Sequence, residues 1–307
     1  VRDLPRRFPG KALFVIALFV LLSAPCQGDG GWVPFSLQDM EGRQVPLSAP
    51  PVRIISLAAG TTEVLFSLGL GDRIVGVSGE CNYPPQAAEK PKVGNIYLNY
   101  ERIVSLRPDM VVVESSLRPE AGEKLRKLGL TVLTVRSDNF ADFLQSVELM
   151  GRATGRAGQG AELCRRLQGG LDGITKRIKS LPLSRRPRVF VEIWNQPLMT
   201  AGGDTFISYV VERAGGVNIC GELKGCPLIS PETLLVRNPD VVILTTSTPA
   251  EFLSVPYWRN INAVKSGRVH YINPDILVRP GMRLYDGCSN LFQWFYPRLA
   301  GGAAASD

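Results

Sequence analysis

Two stretches of this chain repeat one another. Residues 101–113 read Glu-Arg-Ile-Val-Ser-Leu-Arg-Pro-Asp-Met-Val-Val-Val, and residues 232–244 read Glu-Thr-Leu-Leu-Val-Arg-Asn-Pro-Asp-Val-Val-Ile-Leu. Each is an acid, a short apolar helical stretch, a Pro-Asp turn and a strand without polar residues. In both, the aspartate follows the glutamate by eight residues. A proline here ends the helix, and an uninterrupted aliphatic run is the signature of a strand covered on both faces, as in a parallel sheet. A duplicated helix–turn–strand unit therefore predicts two similar α/β lobes. The 307 residues leave room for both, at roughly 100–200 residues per domain.

The flanking sequence fits that plan. Residues 35–48 alternate around Glu41-Gly42 and read as an edge hairpin. Strands are expected at 53–57, 74–77, 110–113 and 132–135, with helices from about 64, over 102–106 and over 119–128. Thr61 or Thr62 is the expected cap of the first helix, with Glu63 in its first turn. Residues 140–181 are mostly helical, with Leu144, Val147, Leu163, Leu167, Leu171, Ile174 and Ile178 at helical intervals. Gly155, Gly158 and Gly160 mark either a weak point or a division into two helices. A second α/β run follows, with strands at 189–193, 241–244 and 269–272 and helices at 206–214, 230–235 and 284–299. The expected fold class is thus α/β: two similar lobes joined by a long helix, with a ligand cleft between them. The expected divisions are an N-terminal lobe over 29–139, the connecting helix over 140–182, a C-terminal lobe over 183–300 and a loose tail over 301–307.

Residues 1–28 read as a signal peptide. Arg2, Arg6, Arg7 and Lys11 precede an apolar run over 12–22, shorter than the ~20 residues of a membrane span, and small residues follow. Cys26 stands where a bacterial lipoprotein is acylated, although Pro25 precedes it. Export places the protein in the periplasm or at the cell envelope. The segment carries four basic side chains and one acid, so the net charge of +7 becomes +4 for the exported part. Those charges are interspersed, with no basic stripe for a nucleic acid. Export also favours disulfides. Cys220 with Cys226 is one candidate pair; Cys81 and Cys288 are further candidates. The lone histidine, His270, leaves a metal site short of ligands.

The segments Arg53-Ile-Ile-Ser-Leu57 with Thr62-Glu63, Gly76-Val77, Tyr83-Pro-Pro-Gln-Ala87, 101–109, Gly129-Leu-Thr-Val132 and Ser230-Pro-Glu232 resemble the periplasmic binding proteins of the corrinoid and ferric-siderophore class. The resemblance spans about residues 35 to 299. It implies a non-catalytic, monomeric capture protein of an ABC importer, which passes a small molecule to a permease and its ATPase. Tyr-Pro-Pro-Gln-Ala and residues 275–283 are most similar to the members that bind vitamin B12, so cobalamin or another corrinoid is the implied cargo rather than a catalytic cofactor. The resemblance implies that Tyr83 lines the cleft, that Asp275 and Arg279 face it from the other lobe, and that Glu101 and Glu232 engage arginines of the permease. Where such proteins often carry tryptophans, this chain has Asn95, Ile96 and Tyr97 at one position, Glu114 at another and Cys226 at a third. Trp194 offers an aromatic face elsewhere, and the loop ending at Met199 adjoins it. The ligand-binding set is therefore Tyr83, Asn95, Tyr97, Trp194, Met199, Asp275 and Arg279.

Rival readings remain at this level. A ferric siderophore would call for basic groups, for which Arg279 and Arg283 are candidates. Haem would call for an axial tyrosine, and Tyr83 is available. An exported hydrolase would use Ser56, His270 or the pair Glu101 and Glu232, but there is no Gly-x-Ser-x-Gly turn or metal-binding helix motif. A sensory or structural surface module would need no pocket at all.

Overall fold

The computed structural model describes residues 32–301. The expected signal peptide, Cys26 and the tail after Gly301 lie outside the described residues. The chain enters through an antiparallel hairpin, β1 (Phe35–Gln38) and β2 (Gln44–Leu47). This hairpin is fastened to the first lobe by the buried Asp39, which pairs with Arg126 at 3.0 Å. The lobe itself is built from β3 (Ile54–Ser56), α1 (Ala59–Ser67), β4 (Ile74–Val77), α2 (Pro85–Ala88), α3 (Tyr100–Ser105), β5 (Met110–Glu114), α4 (Ala121–Lys127) and β6 (Val132–Val135). Its four strands are all parallel, in the order β4-β3-β5-β6. Every residue of β3, β5 and β6 is buried, which is why these strands are mostly aliphatic rather than alternating apolar and polar.

The first helix starts earlier than its threonines suggest. Ala58 stands at its N-cap and no side chain caps it. Thr62 instead turns its hydroxyl inward, where it lies 2.9 Å from the Ala58 carbonyl oxygen and 2.8 Å from Ser56 Oγ. Glu63 is buried, not exposed in a first turn.

The helical stretch after the first lobe is two helices rather than one, α5 (Phe140–Ala153) and α6 (Ala157–Ile178). Gly155, at φ +75°, is the left-handed residue that stops α5. The two helices then run back along each other. Cys164 Sγ reaches the Leu144 carbonyl oxygen at 3.5 Å, and a methyl group on Gly160 would lie 3.4 Å from the Gly151 Cα. The connector is therefore a hairpin. Its longer arm, 22 residues and about 33 Å, carries the chain to the second lobe.

That lobe holds β7 (Arg188–Trp194), β8 (Met199–Thr200), α7 (Phe206–Arg213), β9 (Val217–Asn218), α8 (Pro231–Arg237), β10 (Val241–Leu244), α9 (Pro249–Ser254), α10 (Asn262–Lys265), β11 (Val269–Tyr271), α11 (Pro274–Leu277), α12 (Leu284–Phe295) and α13 (Pro297–Gly301). Its sheet runs β11-β10-β7-β8, with β9 also on β7. Pro297 divides the expected last helix into α12 and α13.

The sequence repeat is a repeat of hydrogen bonds. Asp109 accepts from the N–H of Arg53 at 2.9 Å and donates its own N–H to the Arg53 carbonyl at 2.8 Å. Asp240 does the same with Arg188, at 2.9 and 2.8 Å. The Arg53 guanidinium bonds the Leu106 carbonyl at 2.7 Å, and that of Arg188 bonds the Arg237 carbonyl at 2.8 Å. Arg107 and Asn238 both adopt φ +44° before their prolines. In each lobe, then, a carboxylate and an arginine tie the helix–turn–strand unit to the start of the neighbouring strand.

The five described cysteines, Cys81, Cys164, Cys220, Cys226 and Cys288, are all free, so Cys220 and Cys226 do not pair and the further candidates Cys81 and Cys288 form no disulfide. Cys220 points into the core of the second lobe while Cys226 is exposed, although a short loop separates them. Cys81 is held by Thr62 and Ser78. Burial pushes the Cys288 thiol up to about 12.

A candidate ligand cleft between the lobes

The C-terminal ends of β3 and β4 in the first lobe meet the segment that follows β11 in the second. In open parallel sheets this end of the strands is where ligands bind. Contact between the lobes is close on one side. A methyl group on Gly60 would lie 2.0 Å from the Pro280 carbonyl oxygen, so only glycine fits there. Beside it, Arg283 donates to both oxygens of Glu63, Nε to Oε2 at 3.0 Å and Nη2 to Oε1 at 2.6 Å. The same guanidinium carbon lies 4.0 Å from the centre of the Tyr83 ring. Burial opposes the charge on Arg283, but the Glu63 hydrogen bond and nearby acids outweigh it and its pKa is raised.

Further along the same seam, Asn82 bridges the two site residues expected on the second lobe. Its Nδ2 donates to Asp275 Oδ2 at 2.9 Å, and its Oδ1 accepts from Arg279 Nη1 at 2.7 Å. Arg279 and Asp275 are also paired directly, at 2.7 Å. Tyr83, Asp275 and Arg279 thus meet at one corner, and Tyr83 remains 43% exposed.

The other expected ligand residues have described contacts only within their own lobes. Asn95 and Tyr97 lie on a loop closed by the Gly94–Leu98 bridge, with Asn95 packed on Gly79. Arg118 ties that loop to the strand end: Nη1 donates to the Ile96 carbonyl at 3.2 Å and Nε to the Leu57 carbonyl at 3.0 Å. Arg118 is itself paired with Glu80 at 3.0 Å. On the second lobe, Trp194 ends β7, and its indole N–H is pinned to the Gln196 carbonyl at 2.9 Å. Met199 pairs with Trp194 in the ladder and with Leu228 in an isolated bridge. Ile96, Tyr97, Leu117, Trp194 and Leu228 are 54–89% exposed. Each nearby arginine, by contrast, has its own carboxylate: Arg118 with Glu80, Arg279 with Asp275, Arg283 with Glu63.

Two buried strand acids stand outside the expected ligand set, Glu192 and Glu114, the latter at a position where the resemblance puts a tryptophan. Glu192, fully buried, accepts from the N–H and hydroxyl of Ser247 at 3.0 and 2.7 Å. Glu114 is 4% exposed; Oε2 accepts from Ser137 at 3.0 Å, and Oε1 is buried without a hydrogen bond. An acidic residue within an aliphatic strand was the available signal for both, at the last position of β5 for Glu114 and inside β7 for Glu192. Burial pushes the Glu114 pKa up, against the serine contacts that favour its carboxylate. An acid raised in the folded state contributes fully below its unfolded value, about 4.3, and that contribution is lost as pH rises through the folded value. Glu114→Gln is therefore expected to flatten the loss of stability above that point. Thermal midpoints of both proteins from about pH 4 to about pH 8 test this; parallel curves would refute it.

Glu101 and Glu232 occupy the same place in their lobes. Each is exposed, second in its helix, behind a capping side chain: Asn99 bonds the Arg102 N–H, and Ser230 bonds the Thr233 N–H. They lie on the duplicated units rather than at the seam, so neither approaches the ligand residues through any described contact. Among the described residues no helix is long and apolar enough to cross a membrane.

A sequence profile described as periplasmic binding protein matches residues 54–276. An uncharacterised ABC transporter substrate-binding lipoprotein of Bacillus subtilis is 32% identical over 270 residues, covering 86% of each chain. A vitamin B12-binding protein of Vibrio cholerae is 32% identical over 245 residues, covering 77% of this chain and 86% of its own. The crystal structure of the Vibrio cholerae periplasmic vitamin B12 binding protein matches with a TM-score of 0.71 over 81% of this chain and 98% of that one, at 27% identity. A periplasmic haem-binding protein of Pseudomonas aeruginosa also matches, with a TM-score of 0.71 at 26% identity over 81% and 94%.

Proposed function

The chain belongs to the periplasmic binding protein family and is the substrate-binding component of an ABC importer; we propose that its cargo is a corrinoid, vitamin B12 or cobinamide. One pair of observations supports this choice: Ile96, Tyr97, Trp194 and Leu228 are exposed apolar side chains, while Arg118, Arg279 and Arg283 are each paired with an acid. An anionic ferric siderophore calls for cations without internal partners. A corrinoid is a broad amphipathic plate with amide arms, which needs flat apolar faces and a few hydrogen-bonding groups. Tyr97 and Trp194 supply such faces, and Asp275 with Arg279 supplies donors and acceptors.

Equilibrium dialysis against cyanocobalamin tests the assignment. One-to-one binding is expected, weakened roughly tenfold or more in Tyr97→Ala/Trp194→Ala, since each aromatic contact contributes about 0.5–1.5 kcal/mol beyond its buried area. Unchanged binding in the double variant would remove these two faces from the site. Haem is the second reading, favoured by the Pseudomonas relative and by Tyr83 at the rim. The partners are the permease and ATPase of the importer, with Glu101 and Glu232 as the permease contacts. We place the protein at the cell envelope and take Cys26 as its acylation site, by analogy with the Bacillus lipoprotein. Mass spectrometry of the envelope-extracted protein would show a lipid-modified Cys26 peptide, or an unmodified one if this is wrong.

A further inference from the structure

We propose that Asn82 is a resident self-ligand: its side-chain carboxamide fills a fork made by Asp275 and Arg279, and an amide arm of the cargo displaces it. This rests on the corrinoid reading and adds which group of the ligand the fork reads. The three side chains form a closed ring, with Asn82 Nδ2 to Asp275 Oδ2 at 2.9 Å, Arg279 Nη1 to Asn82 Oδ1 at 2.7 Å, and Arg279 Nη2 to Asp275 Oδ1 at 2.7 Å.

Such a ring is selective. It needs an N–H donor for the carboxylate and an oxygen acceptor for the guanidinium on one planar carbon, which is the definition of a primary amide. A carboxylate in the same place would set its charge against Asp275, and an ester would leave Asp275 Oδ2 without its donor, with only Oδ1 still paired to Arg279. The side chain of asparagine is an acetamide in all but its attachment, and the periphery of a corrin carries acetamide and propionamide arms. The fork is also built to stay in place. The Asp275 N–H donates to Asn273 Oδ1 at 2.9 Å, and Arg283 reaches the Asp275 carbonyl at 3.4 Å. The fork side chains are only 19% and 21% exposed, whereas Asn82 is on the surface of the opposite lobe. A half-buried receptor with an exposed plug is open to exchange. Displacing Asn82 leaves the Glu63–Arg283 pair and the Gly60–Pro280 contact holding the lobes.

A ligand that must displace a plug binds more weakly by the fraction of time the fork is empty. Asn82→Ala removes the plug from an exposed position. With the fork filled in about nine molecules of ten, the variant binds an amide-bearing ligand roughly tenfold tighter. The experiment titrates wild type, Asn82→Ala and Asn82→Ala/Asp275→Ala with two corrinoids: cobinamide, which has amide arms, and heptamethyl cobyrinate, whose arms are esters. The expected result is a roughly tenfold gain for cobinamide in Asn82→Ala, no gain for the ester, and loss of the gain in the double variant. Equal or weaker cobinamide binding by Asn82→Ala, or an equal gain for the ester, overturns the self-ligand while leaving the corrinoid reading intact. Failure of every protein to bind either corrinoid removes that reading and this inference with it.

Discussion

Replacing Glu63 by alanine is expected to destabilise the protein by about 3–5 kcal/mol, because it leaves the Arg283 charge without its partner in a largely dry seam. Side-chain exposures of 2% for Glu63 and 14% for Arg283 place this pair well inside the range where desolvation dominates. The bond is bidentate, so both the charge and the geometry of the fork are lost together. Two further groups depend on it: the Tyr83 ring stacked under Arg283, and the Asp275 carbonyl that Arg283 also reaches. The paired replacement Glu63→Leu/Arg283→Met is expected to recover most of the loss, since a buried ion pair exchanged for apolar side chains is often close to neutral. Urea unfolding of the three proteins measures this. A shift below about 1 kcal/mol in Glu63→Ala would mean that the pair is solvated like a surface ion pair and does not fasten the lobes.

Reversing both docking acids, Glu101→Arg with Glu232→Arg, is expected to abolish complex formation with the permease while leaving corrinoid affinity unchanged. Each glutamate projects from the second position of a short helix, fixed by the same Asp–Arg hydrogen bonds in both lobes. On the docking proposal the permease meets one such carboxylate from each lobe, and a single reversal removes only half of the recognition. The competing account is local, in which an acid near a helix N-terminus contributes about 0.3–1 kcal/mol to that helix and nothing more. Pull-down of the permease complex from detergent separates the two accounts. If the doubly reversed protein is retained like wild type, the glutamates are capping charges and not docking groups.

Much of the fold was legible because its signals are local. The Pro-Asp units, the aliphatic strands and the helical spacing of residues 144–178 depend on near neighbours, and the two lobes follow from counting them. The division of the connector turned on one glycine among several: Gly155 takes the left-handed conformation, while Gly158 and Gly160 stay helical and Gly160 lets α6 pack closely on α5. The site was less legible because its decisive contacts are distant. Glu63 and Arg283 are 220 positions apart, and Asn82 is 193 from Asp275. Nothing near Glu63 distinguishes a buried ion-pair partner from a first-turn acid. The disulfide expectation failed for a similar reason: export makes pairing possible, but the packing of Cys220 inward and Cys226 outward decides it.

The geometry argues for capture with little movement. The helical hairpin α5–α6 spans the lobes, Phe140 of α5 stacks on Tyr209 of α7 at 5.0 Å, and the Glu63–Arg283 pair closes the seam elsewhere. A wide hinge would have to break the pair and the ring contact, so small adjustments at Asn82 and the rim loops are the economical route.

The central claim is the identity of the cargo, and calorimetric titration of the exported chain tests it most directly. Cyanocobalamin and cobinamide are compared with haemin and a ferric siderophore under the same conditions. Tight one-to-one binding of both corrinoids, and far weaker binding of the other two, is the result this account predicts. Tight binding of haemin or the siderophore with no heat from either corrinoid would contradict it, and would leave an importer component with the same fold and a different ligand.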